Sequence, residues 1–224
     1  MTKPKRHSSA NATIPYEMLL RLANEKQNPL QKLPDFTKDC LHKNILTVDG
    51  DKTLSLNISC HQWRDLSEEV RNWMVDLTEN NMKQLYEQSA WGWNRKSKQS
   101  ELRHDDARHL LVHSTESNQP IAFVHFRFEK GYVSEATLYC YELQVEEQYR
   151  HQGIGKCLMG ILMELAAQYR MKKVLLTVLK QNTEAMRFYT EGLKFIIDTH
   201  SPSKFGDNAD YEILSKRIDP QTKK

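Results

Sequence analysis

The sequence predicts an α+β protein in which helices flank a mixed central β-sheet, with an extra helical segment at the N-terminus. Apolar residues recur at helical spacing early in the chain and alternate with polar residues in the middle. Toward the C-terminus the order becomes strand, helix, strand, helix, strand, and a glycine-containing loop opens the first of those helices. At 224 residues, the chain is long enough to bury a full hydrophobic core in one domain.

Composition divides the chain into four stretches. Residues 1–12 are polar and basic, and we expect them to form a disordered tail. Residues 13–65 are predicted to add a helix and a strand before the main domain, which spans 66–218. Residues 219–224 are predicted to form a short C-terminal tail.

The N-terminal half is predicted to hold two helices with a strand between them. Pro15 lies in the first turn of the first helix, where its missing N–H costs little, and the apolar positions are Ile14, Met18, Leu19 and Leu22. The strand is predicted by the alternation of Leu54, Leu56, Ile58 and Cys60. Ser67 is the expected cap of the second helix, whose apolar positions are Val70, Trp73, Met74, Leu77 and Leu85. Asn80-Asn81 is a candidate break in that helix, and the charged, unpatterned stretch 93–106 is expected to be mostly loop.

Strands dominate the C-terminal half. Alternating or continuous apolar runs predict strands within 108–112, 121–128, 137–145, 174–179, 195–198 and 211–217. One helix is predicted from the apolar positions Ile154, Leu158, Ile161, Leu162, Leu165 and Tyr169. Another is predicted from Asn182 to Glu191, ending near Gly192.

Charge and hydropathy limit the function classes. The net charge of +3 and isoelectric point near 8.6 weakly favour an anionic ligand, but they are too small to indicate direct nucleic-acid binding. No apolar run approaches the roughly 20 residues that span a bilayer. The first residues have no apolar signal-peptide core, and Thr2 excludes N-myristoylation. We therefore expect an intracellular protein that does not contact membranes.

The sequence predicts no metal site. The four cysteines (Cys40, Cys60, Cys140 and Cys157) form no Cys-x-x-Cys pair, and we expect them to be reduced and packed as small apolar side chains. His109 and His113 are four residues apart in a predicted strand, which separates them by about 13 Å and prevents a shared ligand set.

The loop from Arg150 to Lys156 is the sharpest local signal. Its glycines, Gly153 and Gly155, let the backbone turn tightly, and the N–H groups at the start of the following helix can bind phosphate oxygens. A bare Gly-x-Gly is typical of many strand-to-helix turns. Neither a Walker motif nor a dinucleotide-binding fingerprint fits, because no Gly-Lys-Ser/Thr follows and Leu158 replaces a third glycine.

The pattern Arg-x-x-Gly-x-Gly at 150–155 resembles the pyrophosphate loop of the GNAT acetyltransferases. The segments that follow are also similar in order: the strand 174–178, then Asn182, then Phe188-Tyr189, then 192–195. This resemblance implies the GNAT fold and acetyl-CoA as co-substrate, without a metal.

Much of 66–217 is more specifically similar to the N-terminal acetyltransferase D (NatD) branch, whose members acetylate histones two-A and four. The similar segments are Tyr86-Glu87-Gln88-Ser89, Trp91-Gly92-Trp93, His125-Phe126-Arg127-Phe128, Leu138-Tyr139-Cys140-Tyr141-Glu142, Met171-Lys172-Lys173-Val174, Ser201-Pro202-Ser203 and Tyr211-Glu212-Ile213-Leu214-Ser215. The resemblance implies an enzyme of nucleus and cytoplasm that acetylates the N-terminal serine of histone tails of the Ser-Gly-Arg-Gly-Lys type. We expect it to act as a monomer.

The resemblance also implies the site residues. The catalytic set would be Glu142, Tyr141 and Tyr211. Acetyl-CoA would be held by Leu143, Gln144, Val145, Arg150, His151, Gln152, Gly153, Ile154, Gly155, Lys156 and Asn182. The substrate would contact Tyr86, Trp91, Glu129, Tyr139, Tyr141, Thr177 and Tyr211.

The chemistry of amine acetylation assigns roles within this set. An α-amino group has a pKa of about 8, so a base removes only a weakly held proton, and Glu142 is the candidate base, directly or through water. Backbone N–H groups near Leu143 are candidates to bind the thioester oxygen. Alternation would send Tyr141 and Glu142 to opposite faces, so joint use of both predicts a β-bulge.

Several alternatives stay open at this level. Tyr189 and Tyr211 compete as proton donor to the leaving thiolate, and Trp93 is better explained as a packing residue than as a site residue. Glu129 would face the arginine of the substrate, while Lys130-Gly131 replaces a second acidic residue expected from the family and Glu135 is a candidate substitute. Other function classes are an acetyltransferase for lysine or a small amine and a non-catalytic acyl-CoA-binding module.

Overall fold

The computed structural model describes residues 14–26, 28–32, 42–46 and 53–219. The basic tail 1–12, Cys40 and nearly all of the tail 219–224 lie outside these residues. The described strands are β1 (His42–Leu46), β2 (Thr53–His61), β3 (Arg108–Ser114), β4 (Pro120–Lys130), β5 (Ala136–Val145), β6 (Lys173–Leu179), β7 (Ile196–Ile197) and β8 (Tyr211–Arg217). The described α-helices are α1 (Tyr16–Asn24), α2 (Glu68–Glu87), α3 (Arg95–Leu102), α4 (Ile154–Gln168) and α5 (Thr183–Arg187).

The eight strands form one mixed sheet in the order β1-β2-β3-β4-β5-β6-β8-β7. Neighbours are antiparallel except β5 and β6, which are parallel and are joined through α4. A parallel pair needs such a crossover because the chain must return to the same end of the sheet before the second strand begins. The predicted α+β architecture with flanking helices and an N-terminal helix is confirmed.

Two irregularities of β5 create the space for a site. His125 pairs with Glu142 and Phe126 pairs with Cys140, so Tyr141 is the extra residue of a β-bulge. Pairing between β5 and β6 ends at Cys140 and Leu176, although both strands continue. The bulge that joint use of Tyr141 and Glu142 requires is therefore present, and the sheet opens beside it.

The core lies on both faces of the sheet, because β4 and β6 are buried on both sides along most of their length. On one face, Phe126, Leu138 and Leu162 belong to the large cluster that α1 and α4 cover. On the other face, Met74 of α2 packs with Phe123.

The predicted break of α2 at Asn80-Asn81 is wrong. The helix runs unbroken from Glu68 to Glu87, with Ser67 as its cap, as predicted, accepting a hydrogen bond from the Val70 N–H at 3.3 Å. The Asn81 amide donates to Gln144 Oε1 at 2.9 Å, so its polar group has a tertiary partner and does not compete with the helix backbone.

The prediction that 93–106 is mostly loop is also wrong. Helix α3 occupies Arg95–Leu102, and the Asn94 side chain caps it by accepting from the Ser97 N–H at 2.9 Å. Within α3 only Leu102 is buried and apolar, so the segment carries no apolar stripe for periodicity to detect. Two smaller differences are that β7 is limited to Ile196–Ile197 and that α5 continues as a π-helical turn over Phe188–Gly192.

Candidate active site

Two connected spaces open where β5 and β6 separate. A groove of about 850 Å³ runs between the end of β5, the loop before α4, and α5. A cleft of about 80 Å³ lies deeper, between β5, β6 and α2. Both spaces are lined by Met82, Leu143, Gln144, Asn182, Ala185 and Tyr189.

The groove has the features of a phosphate-binding site at the start of α4. Gly153 precedes the helix with φ of 83°, and His151 has φ of 60°, so the loop backbone folds sharply onto the helix end. The first N–H groups of α4 lack partners within the helix, and Lys156 adds positive charge. A Cβ on Gly155 would lie 3.2 Å from Phe188 Cζ, so this wall of the groove is closely packed. The groove therefore fits the pyrophosphate of a coenzyme A thioester.

Ten of the eleven residues predicted to hold acetyl-CoA line this groove. They are Leu143, Gln144, Val145, Arg150, His151, Gly153, Ile154, Gly155, Lys156 and Asn182. The Gln152 amide instead donates to the Gln148 carbonyl at 3.0 Å. Arg150 also supports the wall, since it donates to Asn81 Oδ1 at 2.6 Å and to the Val145 carbonyl at 3.3 Å.

Glu142 lies beside the bulge with both carboxylate oxygens engaged. Its side chain is 4% exposed, Oε1 accepts from Lys98 Nζ at 2.6 Å, and Oε2 accepts from Gln144 Nε2 at 2.7 Å. Burial would lower the pKa of Lys98, but the adjacent Glu142 and Glu101 carboxylates reverse this and raise it, so Lys98 is a cation. Each Glu142 oxygen keeps a further lone pair with which to bind an incoming group.

Aromatic rings wall the outer side of the cleft. Tyr86 and Trp91 line it, with ring centroids 5.9 Å apart, and Trp91 packs 4.9 Å from Tyr211. Trp93 packs half-buried behind Tyr86, as predicted for a packing residue. Trp91 is 47% exposed, which leaves the mouth of the cleft open to solvent.

Polar groups accompany the rings on β4, β5 and β6. Tyr139 and Thr177 join their hydroxyl groups by a hydrogen bond. The Tyr141 hydroxyl donates to Glu129 Oε2 at 2.9 Å, and burial raises the pKa of the Glu129 carboxyl. Glu135, the candidate substitute for a second acidic residue, instead forms an ion pair with Lys173 at 3.0 Å.

The two candidate proton donors occupy different places. Tyr189 lines both the groove and the cleft, is 9% exposed, and has a pKa that burial raises well above its ordinary value. It therefore keeps its proton at the junction of the two spaces. Tyr211 lies against Trp91, at the start of β8.

Within the described residues, no three His, Cys, Asp or Glu side chains are close enough to hold a metal ion. Among the described cysteines, Cys60, Cys140 and Cys157 form no disulfide with one another, and burial raises the pKa of Cys60 to about 12. None of the described helices is both long and apolar enough to cross a bilayer.

Sequence reasoning missed Lys98 and Asn81. Lys98 lies in the segment predicted as loop, and Asn81 belongs to the pair that is a candidate break in the helix. The spacing of Lys98 and Glu101 was the available signal, because residues three apart share one face of a helix.

Comparison with known proteins agrees with this geometry. The acetyltransferase (GNAT) family model matches residues 67–195, more than half of the chain. Among solved structures, the NatC complex bound to Gag peptide and CoA is 17% identical, with 72% of this chain and 99% of that chain covered and a TM-score of 0.54. NAA60 of Arabidopsis thaliana in complex with a bisubstrate analogue is 15% identical, with 74% and 100% covered and a TM-score of 0.53. The ribosomal-protein-S18-alanine N-acetyltransferase from Escherichia coli is 17% identical, with 73% and 94% covered and a TM-score of 0.50.

These identities show a shared fold. The family match covers the bulged strand, the phosphate loop and α5, the elements that build both the groove and the cleft. The chain belongs to the GNAT family of acetyltransferases.

Proposed function

We propose that this protein is an acetyl-CoA-dependent N-α-acetyltransferase that acts on the N-terminal serine of histones two-A and four. The observation that carries the proposal is Glu142, a buried carboxylate at the bulge that borders the cleft and adjoins the groove. Support also comes from the NatD-like segments of the sequence and from the N-terminal acetyltransferases that share the fold.

The residues of the cleft suit a peptide amino terminus. Glu142 can accept a proton from an α-amine, whose pKa of about 8 makes the proton easy to remove. The Tyr139 and Thr177 hydroxyls offer polar partners for a serine side chain, and Glu129 offers a carboxylate for a basic residue farther along the peptide. The rings of Tyr86 and Trp91 would exclude water around the bound terminus.

Bound acetyl-CoA would supply an activated acetyl group as a thioester. The loop before α4 would hold its pyrophosphate, and the backbone near Leu143 would orient the reacting end beside Glu142. Tyr189 holds a proton at the junction of the two spaces, as a donor to a leaving thiolate would.

The proposal includes the setting of the reaction. Histone N-terminal tails would be the protein partners, and the enzyme would work as a monomer in nucleus and cytoplasm. Its contact with chromatin would run through the tail and not through nucleic acid, consistent with the small net charge of +3.

A turnover assay with the peptide Ser-Gly-Arg-Gly-Lys tests the proposal. We expect release of free coenzyme A with this peptide and almost none with the same peptide carrying a blocked N-terminus. Equal rates on both peptides would instead indicate acetylation of the internal lysine. Acetyl-CoA binding without turnover of any amine would leave only an acyl-CoA-binding module.

A further inference from the structure

Lys98 is a buried cation that no part of the proposed chemistry has used. It lies on α3, and its side chain is only 10% exposed. A buried lysine requires a compensating partner, because leaving water costs a charged group several kcal/mol. The identity of its partners therefore indicates what it does.

Lys98 contacts residues that line the cleft without lining the cleft itself. Its Nζ donates to Glu142 Oε1 at 2.6 Å, to Glu101 Oε1 at 2.8 Å and to the Tyr86 hydroxyl at 3.3 Å. It is not among the residues that line the cleft or the groove. The Lys98 ammonium group thus donates hydrogen bonds to Glu142, to a second carboxylate and to a residue that lines the cleft.

None of the other charged and titratable groups described around Lys98 and Glu142 supplies the positive charge that Lys98 places beside the carboxylate. Among the described residues, those facing it are Tyr86 of α2, Glu101 of α3, His125 and Arg127 of β4, Cys140 of β5, and Tyr189 after α5. Burial lowers the pKa of His125 well below its ordinary value, so His125 is neutral. The Arg127 guanidinium donates to the Glu101 carbonyl and lies 4.1 Å from the centre of the Tyr141 ring. Within the described part of the chain, Lys98 is the one cation within 4 Å of Glu142.

We propose that Lys98 is a positioning residue for acetyl transfer, which fixes the Glu142 carboxylate in its reactive orientation through Oε1. Gln144 fixes Oε2, and its own amide oxygen accepts from Asn81 at 2.9 Å. Hydrogen bonds therefore clamp both oxygens of the Glu142 carboxylate, and the remaining lone pairs are available to a group that enters the cleft. The inference rests on the proposed function, because it takes Glu142 as the base.

Clamping matters because a misplacement of about 1 Å can lower a rate about 100-fold. Without Lys98, Glu142 would keep one hydrogen bond to Gln144 and could rotate away from the cleft. Loss of the ammonium also favours the uncharged form of the Glu101 carboxyl group. Burial already raises the pKa of Glu101, and Lys98 opposes that shift.

The test compares Lys98→Met with Lys98→Arg, using kcat and KM on Ser-Gly-Arg-Gly-Lys. We expect kcat of Lys98→Met to fall about 100-fold, while calorimetry finds acetyl-CoA affinity unchanged because Lys98 does not line the groove. Lys98→Arg should recover most of kcat. Lys96→Met is the matched control, since Lys96 lies exposed on the same helix, and it should behave as the parent.

A double variant keeps the test valid if Lys98→Met does not fold. Lys98→Met with Glu101→Gln removes one cation and one anion together, so the net charge of the cluster is conserved. We expect it to fold and still to have low kcat. Parental kcat in this double variant, or in Lys98→Met, would overturn the inference.

Glu142→Gln separates this inference from the proposed function. In a Glu142→Gln background, Lys98→Met should have little further effect, because both changes act on one group. Full additivity of the two losses would overturn the positioning role. If Glu142→Gln lowers kcat and Lys98→Met does not, only the Lys98 inference fails. If Glu142→Gln itself keeps parental kcat, the assigned base is wrong and the inference fails with it.

Discussion

At the scale of single residues, Glu142 combines burial with a complete set of partners. A carboxylate that is 4% exposed needs hydrogen-bond donors in place of water, and here an ammonium and an amide supply them. Tyr141 is directed to its place by the bulge, and its ring stacks on His125 with centroids 4.9 Å apart. These packed neighbours restrict the motion of both residues.

We expect Glu142→Gln to lower kcat by about 10²–10⁴-fold with much less effect on peptide affinity, because the amide keeps the shape and loses the base. Steady-state kinetics on Ser-Gly-Arg-Gly-Lys measures both quantities. Turnover should recover at high pH, where the amine arrives deprotonated. Glu147→Gln is the matched control on the exposed turn that follows β5. A rise in KM alone would make Glu142 a binding residue.

At the scale of elements, the loop before α4 and the turn after α5 meet across the groove. Gly155 in the first turn of α4 faces the Phe188 ring and Leu143 Cδ2, at 3.2 and 3.7 Å from where its Cβ would stand. The groove wall is thus a contact between three elements, and a change at Gly155 moves that wall.

Gly155→Val should weaken acetyl-CoA binding by about tenfold to 100-fold or more. The valine side chain would have to displace Phe188 or the helix end, and such overpacking costs about 1–3 kcal/mol. Titration calorimetry with acetyl-CoA measures it. Gly160→Val is the matched control, since it places the same side chain on α4, where a Cβ meets nothing within 4 Å. Unchanged affinity in Gly155→Val would remove the loop from the acetyl-CoA site.

At the scale of the whole molecule, the residues proposed to contact the substrate come from separate parts of the chain. Trp91 follows α2, Glu129 is the next-to-last residue of β4, Tyr141 is the bulge of β5, and Tyr211 begins β8. Segments as far apart in sequence as those of Trp91 and Tyr211 thus pack against one another beside the cleft. Glu129 hydrogen-bonds Tyr141, so its charge lies beside the bulge.

Replacing the arginine of Ser-Gly-Arg-Gly-Lys by alanine should lower kcat/KM by about tenfold to 100-fold. A hydrogen bond to a charged group is worth about 1.5–3 kcal/mol, which corresponds to a loss of this size. Glu129→Gln should reproduce much of this loss while it still accepts the Tyr141 hydrogen bond. In the double-mutant cycle the two losses should not add, as expected for partners in one contact. Equal rates on both peptides would discard this recognition and leave acetyl transfer unaffected.

The class of the fold and most of the residues that line the groove could be predicted from the sequence. Strand periodicity, the Gly-containing loop and the apolar helix after it are local signals, and local backbone preferences produce them wherever the chain folds. The bulge was predictable as well, because the family resemblance implies that both Tyr141 and Glu142 serve the site and alternation sends them to opposite faces.

The tertiary structure alone decided what surrounds Glu142. Lys98 lies 44 positions before it, in a short polar helix whose only buried apolar residue is Leu102. Asn81 stays within the unbroken helix α2, because Gln144 and Arg150 provide hydrogen-bond partners for its side chain. Such pairings arise from the packing of distant elements, and no periodicity in the sequence encodes them. For a charged pair such as Lys98 and Glu142, burial makes the contact necessary, since a charge in the core needs a partner of opposite charge beside it.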